Sequence, residues 1–380
     1  EGRRPGRGSV DRRVRAEAGD VKAPFPWFGG KRRVADIVWT ALGDVDNYVE
    51  PFAGSLACLL ERPTSHRGQA ETVNDADRFL ANFWRALAAD PFEVASWADW
   101  PVNEADLEAR HLWLVTEGRH RVEAMAANPE WFDAKVAGWW VWGINSWIGS
   151  GWCAGTGPWT LLDDGTVGQL PHLGSAGRGI NCKRPHLGNA GQGINRQLPH
   201  LGNAGRGTSS QGDFSSGGSG APAVKWDNPA PDLPPMYGYL MALADRLRKV
   251  RVCCGDWSRV VTNGALNYGA TVGVFLDPPY LGDVRTADLY ATDDHTIAHE
   301  VRDWCLANGD NPRYRIVLAG YSDEHDHLMP DTWRRHAWSA AGGYAGTNTP
   351  GNTNRHGERL WISPHCLSAT TDTPTLWDAS

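Results

Sequence analysis

Val272-Gly273-Val274-Phe275-Leu276 runs directly into Asp277-Pro278-Pro279-Tyr280, and the reading of this stretch decides the fold. A short unbroken apolar run bounded by turn residues is a strand covered on both faces, as strands of parallel sheets are. The tetrapeptide then lies at the carboxyl end of that strand, where open α/β sheets place their sites. Two successive prolines hold φ at two positions and remove two backbone donors. The turn is therefore rigid, and its carbonyls are left free to accept hydrogen bonds.

Working outward, Pro235 to Lys249 has helical spacing, and Val250 to Cys254 reads as a strand. Beyond the tetrapeptide come a helix from His295 to Ala307 and strands at Arg315 to Ala319 and Arg359 to Ser363. Near the start, Val34 to Leu42 is helical, Asn47 to Glu50 is a strand ended by Pro51, and a helix begins at Leu56 to Leu60. Glu71 to Asn74 is a further strand, followed by a helix from Ala76 to Ala89 with Phe79, Leu80, Phe83, Trp84 and Leu87 on one side. Strand, glycine turn, helix, strand, helix is the opening of a doubly wound α/β domain. It is interrupted near residue 90 and resumes near 235.

The interruption has two characters. Residues 92–160 are helical, and ten of the chain's 20 tryptophans lie between Trp97 and Trp159. Most of these rings are expected in the core rather than in an aromatic wall for a base. Residues 165–222 are glycine-rich and repeat with a period of 14: PHLGSAGRGINCKR (171–184), PHLGNAGQGINRQL (185–198) and PHLGNAGRGTSSQG (199–212). No unit holds enough apolar residues for a core, so a flexible insertion is one reading. In the other, the backbone amides with Arg178, Arg184, Arg196 and Arg206 meet phosphates. His172, His186 and His200 recur because the unit recurs, so no metal site is expected.

The 380 residues suffice for one large α/β domain with an insertion. Seven cysteines without a CxxC suit reduced thiols in a cytoplasmic protein. No apolar run is long enough for a membrane span, and the start lacks the apolar core of a secretory signal. A net charge of −7 argues weakly against a nucleic-acid partner, but residues 1–33 carry ten Lys/Arg against four Asp/Glu and residues 165–225 carry six against one. Phosphate contacts are local, so such segments can still hold DNA. Residues 1–22 read as a disordered basic arm and 368–380 as a tail, and a monomer is the default.

Asp277 to Tyr280 is either a plain Pro-Pro turn that ends a strand or a stretch that carries chemistry on an amine. The lone pair of an aromatic amine such as that of adenine is delocalised into the ring. The Asp277 carboxylate and the Pro278 carbonyl can accept its two hydrogens, which draws the nitrogen towards tetrahedral geometry and stabilises the charge that develops as it attacks a methyl sulfonium. Tyr280 can stack on the base.

Several motifs together resemble the Dam-like family of adenine-specific DNA methyltransferases. Pro24-Phe25-Pro26-Trp27-Phe28-Gly29-Gly30-Lys31 is similar to the family's Trp-x-Gly-Gly-Lys motif. Tyr48-Val49-Glu50-Pro51-Phe52-Ala53-Gly54-Ser55 is similar to its Glu-Pro-Phe-x-Gly turn, Val73-Asn74-Asp75 to the acidic end of its second strand, and Gly255-Asp256-Trp257 to its Asp-Phe pair. Asp294-His295, after Tyr290, resembles a further segment, and the Asp-Pro-Pro-Tyr motif follows the glycine motifs in the family's order. The resemblance covers roughly 23–90 and 235–365 and stops at the repeats.

It implies a class I, Rossmann-like α/β fold with S-adenosyl-L-methionine as cofactor and double-stranded DNA as partner. The catalytic domain would span 23–90 and 235–367, and a helical, Trp-rich target-recognition insertion would span 91–234. Asp277, Pro278, Pro279 and Tyr280 would carry catalysis. Trp27, Gly30, Lys31, Glu50, Phe52, Gly54, Asp75, Asp256, Trp257 and Asp277 would bind the cofactor. In this scheme Lys31 pairs with the cofactor's carboxylate, Asp75 accepts from the ribose, and Gly54 lets the backbone approach. The bland alternatives are a solvated Lys31, a helix-capping Asp75 and a turn-forming Asp256. The family's turn often reads Phe-x-Gly-x-Gly, whereas Leu56 stands last here, and its side chain is expected to crowd the cofactor's methionine portion. Methylation of cytosine N4, RNA adenine or glutamine, and a non-catalytic DNA-binding relative, stay open as alternatives.

Overall fold

The computed structural model describes residues 21–25, 27, 31–68, 70–128, 130–148, 152–153, 159–161, 167–169, 179–180, 233–279, 294–338 and 357–368. Seven strands make one sheet: β1 Asn47–Glu50, β2 Ala70–Asp75, β3 Val250–Cys254, β4 Val272–Leu276, β5 Tyr314–Tyr321, β6 Arg334–Ala337 and β7 Glu358–Ile362. Their order across the sheet is β3-β2-β1-β4-β5-β7-β6. The first five of these are parallel, and β7 runs antiparallel to both β5 and β6. All five residues of β4 are buried, as the unbroken apolar run requires.

Alternation along β4 and β5 separates two cores. Phe275, Val317 and Ala319 belong to one, together with Val38 and Leu42 of α1 (Ala35–Leu42). Val274, Leu276, Ile316 and Leu318 belong to the other, with Val301 and Cys305 of α9 (Asp294–Asn308). Helices thus cover both faces, which makes the architecture a mixed seven-stranded α/β sheet consistent with a Rossmann-like class I methyltransferase. The edges are managed differently: every residue of β6 is exposed, and Arg334, Arg335 and His336 place charge there, which discourages pairing with another chain.

The first core continues through α2 (Ala57–Leu60), α3 (Arg78–Ala89) and the tryptophan-rich helices α4 (Pro91–Ala98), α5 (Glu104–Trp113), α6 (Arg119–Glu123) and α7 (Ala134–Ser146). Trp140 and Trp142 are fully buried, in line with the expectation that most rings are core. Phe25 packs edge-on to Trp140 at 5.1 Å and to Phe83 at 5.7 Å, tying the N-terminal segment to α3 and α7. Gly138 permits the close crossing of α7 and α4, since a Cβ there would sit 2.8 Å from the Val94 carbonyl oxygen. Two cations lie among the rings. The Arg110 guanidinium is 4.4 Å from the Trp142 ring centre, and the Lys135 ammonium is 4.3 Å from that of Trp139.

After the repeats the chain re-enters through α8 (Pro235–Leu247). Arg246 of α8 grips the Glu71 carboxylate of β2 with both nitrogens, at 2.8 and 2.9 Å, and Arg62 adds a third bond at 3.0 Å. Within the first repeat, Gly179–Ile180 pairs antiparallel with Trp147–Ile148, so at least this part of the repeat is anchored at the end of α7. Helix α3 starts two residues later than the apolar spacing suggests. Asp77 is its cap, accepting from the Phe79 and Leu80 amides at 2.7 and 3.2 Å.

Candidate active site

From β1 the chain moves outward to β2 and β3 on one side, while β4 and β5 lie on the other. The crossover therefore falls between β1 and β4, and the carboxyl ends of these strands flank it. Beyond β1 the chain turns through Pro51 to Leu56. Asp75, at the tip of β2, holds this turn by accepting from the Gly54 amide at 3.0 Å, and its other oxygen accepts from the Asp77 amide at 3.0 Å. Asp77 rather than Asp75 caps α3. Burial pushes the Asp75 carboxyl up to about 6, against the pull of these amides.

Gly54 has φ +47°, and a Cβ there would overlap Cδ1 and Nε1 of Trp27. The close approach at this glycine is thus made by Trp27. That indole is itself held by Phe25 at 5.8 Å and Trp140 at 6.4 Å. Leu56 corrects an expectation. Its side chain is fully buried in the core and so does not crowd the turn's outer side. What the family's glycine would relieve is backbone strain, because Leu56 has φ +61° and ψ 26°.

Asn74, fully inside β2, links two of these loops. Its amide donates to the Pro51 carbonyl at 3.0 Å and to the Gly255 carbonyl at 2.9 Å. The sequence reading quoted Asn74 within Val73-Asn74-Asp75 but gave it no role of its own, although an amide beside Val73 in a strand signals a bonded role. After β3, Asp256 caps the short turn Trp257–Val260, accepting from the Ser258 amide at 2.9 Å and from its hydroxyl. Trp257 stacks on Phe52, with ring centres 6.0 Å apart and planes inclined by 28°. Two expected site aromatics from different strand ends therefore form one pair.

On the β4 side, Asp277 is paired with Lys31 at 2.8 Å. Lys31 is 3% exposed and Asp277 18%. The ammonium also lies 5.5 Å from the centre of the Trp338 ring. Pro278 is buried and Pro279 half-buried. Glu50, at the end of β1, is fully buried and accepts from the Tyr48 hydroxyl at 2.9 Å. Burial is the main cause that raises its carboxyl to about 8, and the negative charges of Asp277 and Asp75 add to the rise. Negative charge at the ends of β2 and β4 is thus felt by Glu50 at the end of β1, and such a set suits a ligand of net positive charge.

A second residue was missed by the sequence reading. Glu358 opens β7, and because β7 is antiparallel it enters the sheet at the carboxyl end of β5, opposite Tyr321. It is 7% exposed, and its Oε2 has no hydrogen-bond partner. Burial raises its carboxyl; Lys31 opposes the rise and Asp277 adds to it. No motif marks this position, since its neighbourhood depends on strand order alone.

Of the expected site residues, Trp27, Lys31, Glu50, Phe52, Gly54, Asp75, Asp256, Trp257, Asp277, Pro278 and Pro279 all sit at the carboxyl edge of the sheet or on the segment packed against it. Gly30 and Tyr280 lie outside the described residues, as do Arg178, Arg184, Arg196 and Arg206. Among the described residues no cluster of His, Cys, Asp and Glu could hold a metal ion, and no helix is long and apolar enough to cross a membrane.

Residues 27–110 match the family model of the D12 class N6 adenine-specific DNA methyltransferases. The matched segment includes Trp27, Lys31, the turn with Gly54, and Asp75, and it ends before β4. No curated protein matches the chain.

Proposed function

We propose that this chain, which belongs through residues 27–110 to the D12 class N6 adenine-specific DNA methyltransferases, methylates the exocyclic amine of an adenine flipped out of double-stranded DNA. The family uses S-adenosyl-L-methionine as methyl donor. The observation that carries the reading is Asp277 at the carboxyl end of β4, ion-paired to the buried Lys31 and felt by Glu50 across the crossover.

The residues present fit that donor, because Glu50, whose proton is held by burial and by the charges of Asp277 and Asp75, lies where a cationic ligand would offset those negative charges. Glu50, Gly54, Asp75 and the Phe52–Trp257 pair would hold it, with Trp27 behind Gly54 and Asp256 at the turn beside Trp257. When bound, it supplies a methyl group on a positively charged sulfur. Asp277 and the Pro278 carbonyl would accept hydrogen bonds from the two N–H groups of the amine, and this localises the nitrogen lone pair for in-line attack, with the neutral thioether as leaving group. The methylated nitrogen then gives up one proton to water. Lys31, now on Asp277, is free to take the donor's carboxylate once the amine replaces it there.

The glycine-rich repeats with Arg178, Arg184, Arg196 and Arg206 would meet the DNA backbone, and residues 91–234 would carry target recognition. A monomer working in the cytoplasm is our reading, supported by six free cysteines among the described residues.

The deciding assay incubates wild type and Asp277→Ala with labelled S-adenosyl-L-methionine and unmethylated genomic DNA, followed by nucleoside analysis. Wild type should yield N6-methyladenine, and the variant should lose roughly 10²–10³-fold or more in rate. Label in N4-methylcytosine, or in RNA alone, would overturn the substrate. Deleting residues 168–222 should weaken DNA binding and leave donor binding intact.

A further inference from the structure

Lys31 poses a problem for the proposed reaction, on which this inference rests. Asp277 cannot offer its full accepting capacity to an amine while one oxygen holds a buried ammonium at 2.8 Å. An ammonium at 3% exposure cannot simply be released to water. The donor's carboxylate can take one side of that ammonium, but the side that Asp277 leaves needs a counter-ion from the protein.

We propose that Glu358 is that counter-ion, a positioning residue that shares Lys31 with Asp277 and takes the larger share when Asp277 turns to the adenine amine. Three observations converge on it. The side chain is buried, and Oε2 makes no hydrogen bond, which is costly for a carboxylate without a compensating role. Lys31 and Asp277 are the charged groups that act on it. The Trp338 amide donates to the Glu358 carbonyl at 3.1 Å, and the Trp338 ring lies 5.5 Å from the Lys31 ammonium. The paired ends of β6 and β7 thus bring Glu358 to the Lys31 side of the site. Strand β7 itself is rigid, being bonded on both sides.

No bond is made or broken at Glu358. The methyl group moves from the donor's sulfur to the amine nitrogen, the proton leaves that nitrogen, and Glu358 takes part in neither transfer. Its effect is on the charge that Asp277 presents.

The test uses the full chain with Glu358→Gln, which keeps shape and removes charge. Single-turnover methyl transfer should slow by at least about tenfold, while the Kd for S-adenosyl-L-methionine, measured by calorimetry, stays within about twofold. A second readout is independent of activity: the denaturation midpoints of Glu358→Gln, Lys31→Met and the double variant should be non-additive, because each removes the other's partner. Additive midpoints overturn the sharing of Lys31, and an unchanged transfer rate overturns the positioning role. A wild type that transfers no methyl group to any DNA overturns the proposed function instead, and the stability cycle reports that result separately.

Discussion

Leu56 shows how one residue can satisfy the core and strain the backbone at once. Its side chain is fully buried, yet its φ of +61° is a region where a Cβ costs roughly 1–2 kcal/mol. Truncation should therefore break the usual order of sizes. Leu56→Gly should be less destabilising than Leu56→Ala by about 1 kcal/mol, although glycine fills less of the cavity. Chemical denaturation of the two variants checks this, and alanine equal to or better than glycine would contradict the strain. Gly54 makes the opposite prediction. Gly54→Ala drives a methyl group into the Trp27 indole at a positive φ. It should lower the melting temperature by several degrees and weaken binding of S-adenosyl-L-methionine, as thermal unfolding with and without the donor would reveal.

At the scale of elements, the long insertion is closed by charge as well as by apolar packing. Glu71 on β2 receives Arg62 from the loop after α2 and Arg246 from α8, which follow one another in space but not in sequence. Both Glu71 and Arg62 are nearly buried, so removing the carboxylate leaves two guanidinium groups short of a partner. Glu71→Ala should cost about 3 kcal/mol, and Glu71→Gln somewhat less, in denaturant unfolding. The tryptophan-rich helices use the same device. Arg110 and Lys135 lie against ring faces, so mutation of Trp139, which both cations touch, should cost more than its half-buried position suggests.

For the whole molecule, buried titrating groups set how stability follows pH. Glu50 binds its proton more tightly in the folded state, at about 8 against an ordinary value of 4.5. Its contribution is complete below pH 4.5 and is lost as pH rises towards 8. Asp75, raised to about 6, has the same sign. His111 and His325, lowered by burial to about 3 and 4, have the opposite sign and add stability as pH rises towards 6.5. Above 6.5 the Glu50 contribution stands alone among these four. Tyr48, Cys58, Asp75 and Asp277 are the titrating groups that face it. Unliganded protein should therefore lose about 1–2 kcal/mol between pH 6.5 and 8. Glu50→Gln should flatten that slope; an equal slope in both proteins would place the titration elsewhere.

The sequence by itself determined the parallel sheet and its carboxyl edge. Val272 to Leu276 is apolar on both faces, short, rich in valine and closed by two prolines, and that combination favours a covered strand. Trp27, Lys31, Gly54, Asp75, Asp256 and Asp277 were pointed to by the resemblance of their motifs to a known family, because their local chemistry alone also allowed a solvated lysine, a helix cap and a turn. Strand order was beyond the sequence. Which residues face Lys31 depends on β7 inserting antiparallel between β5 and β6, a long-range pairing with no local signature. Only the tertiary structure placed Glu358 there, joined the loops through Asn74, and gave Lys31 to Asp277. Desolvation and Coulomb forces depend on distance in space, and for groups hundreds of residues apart the fold alone sets that distance.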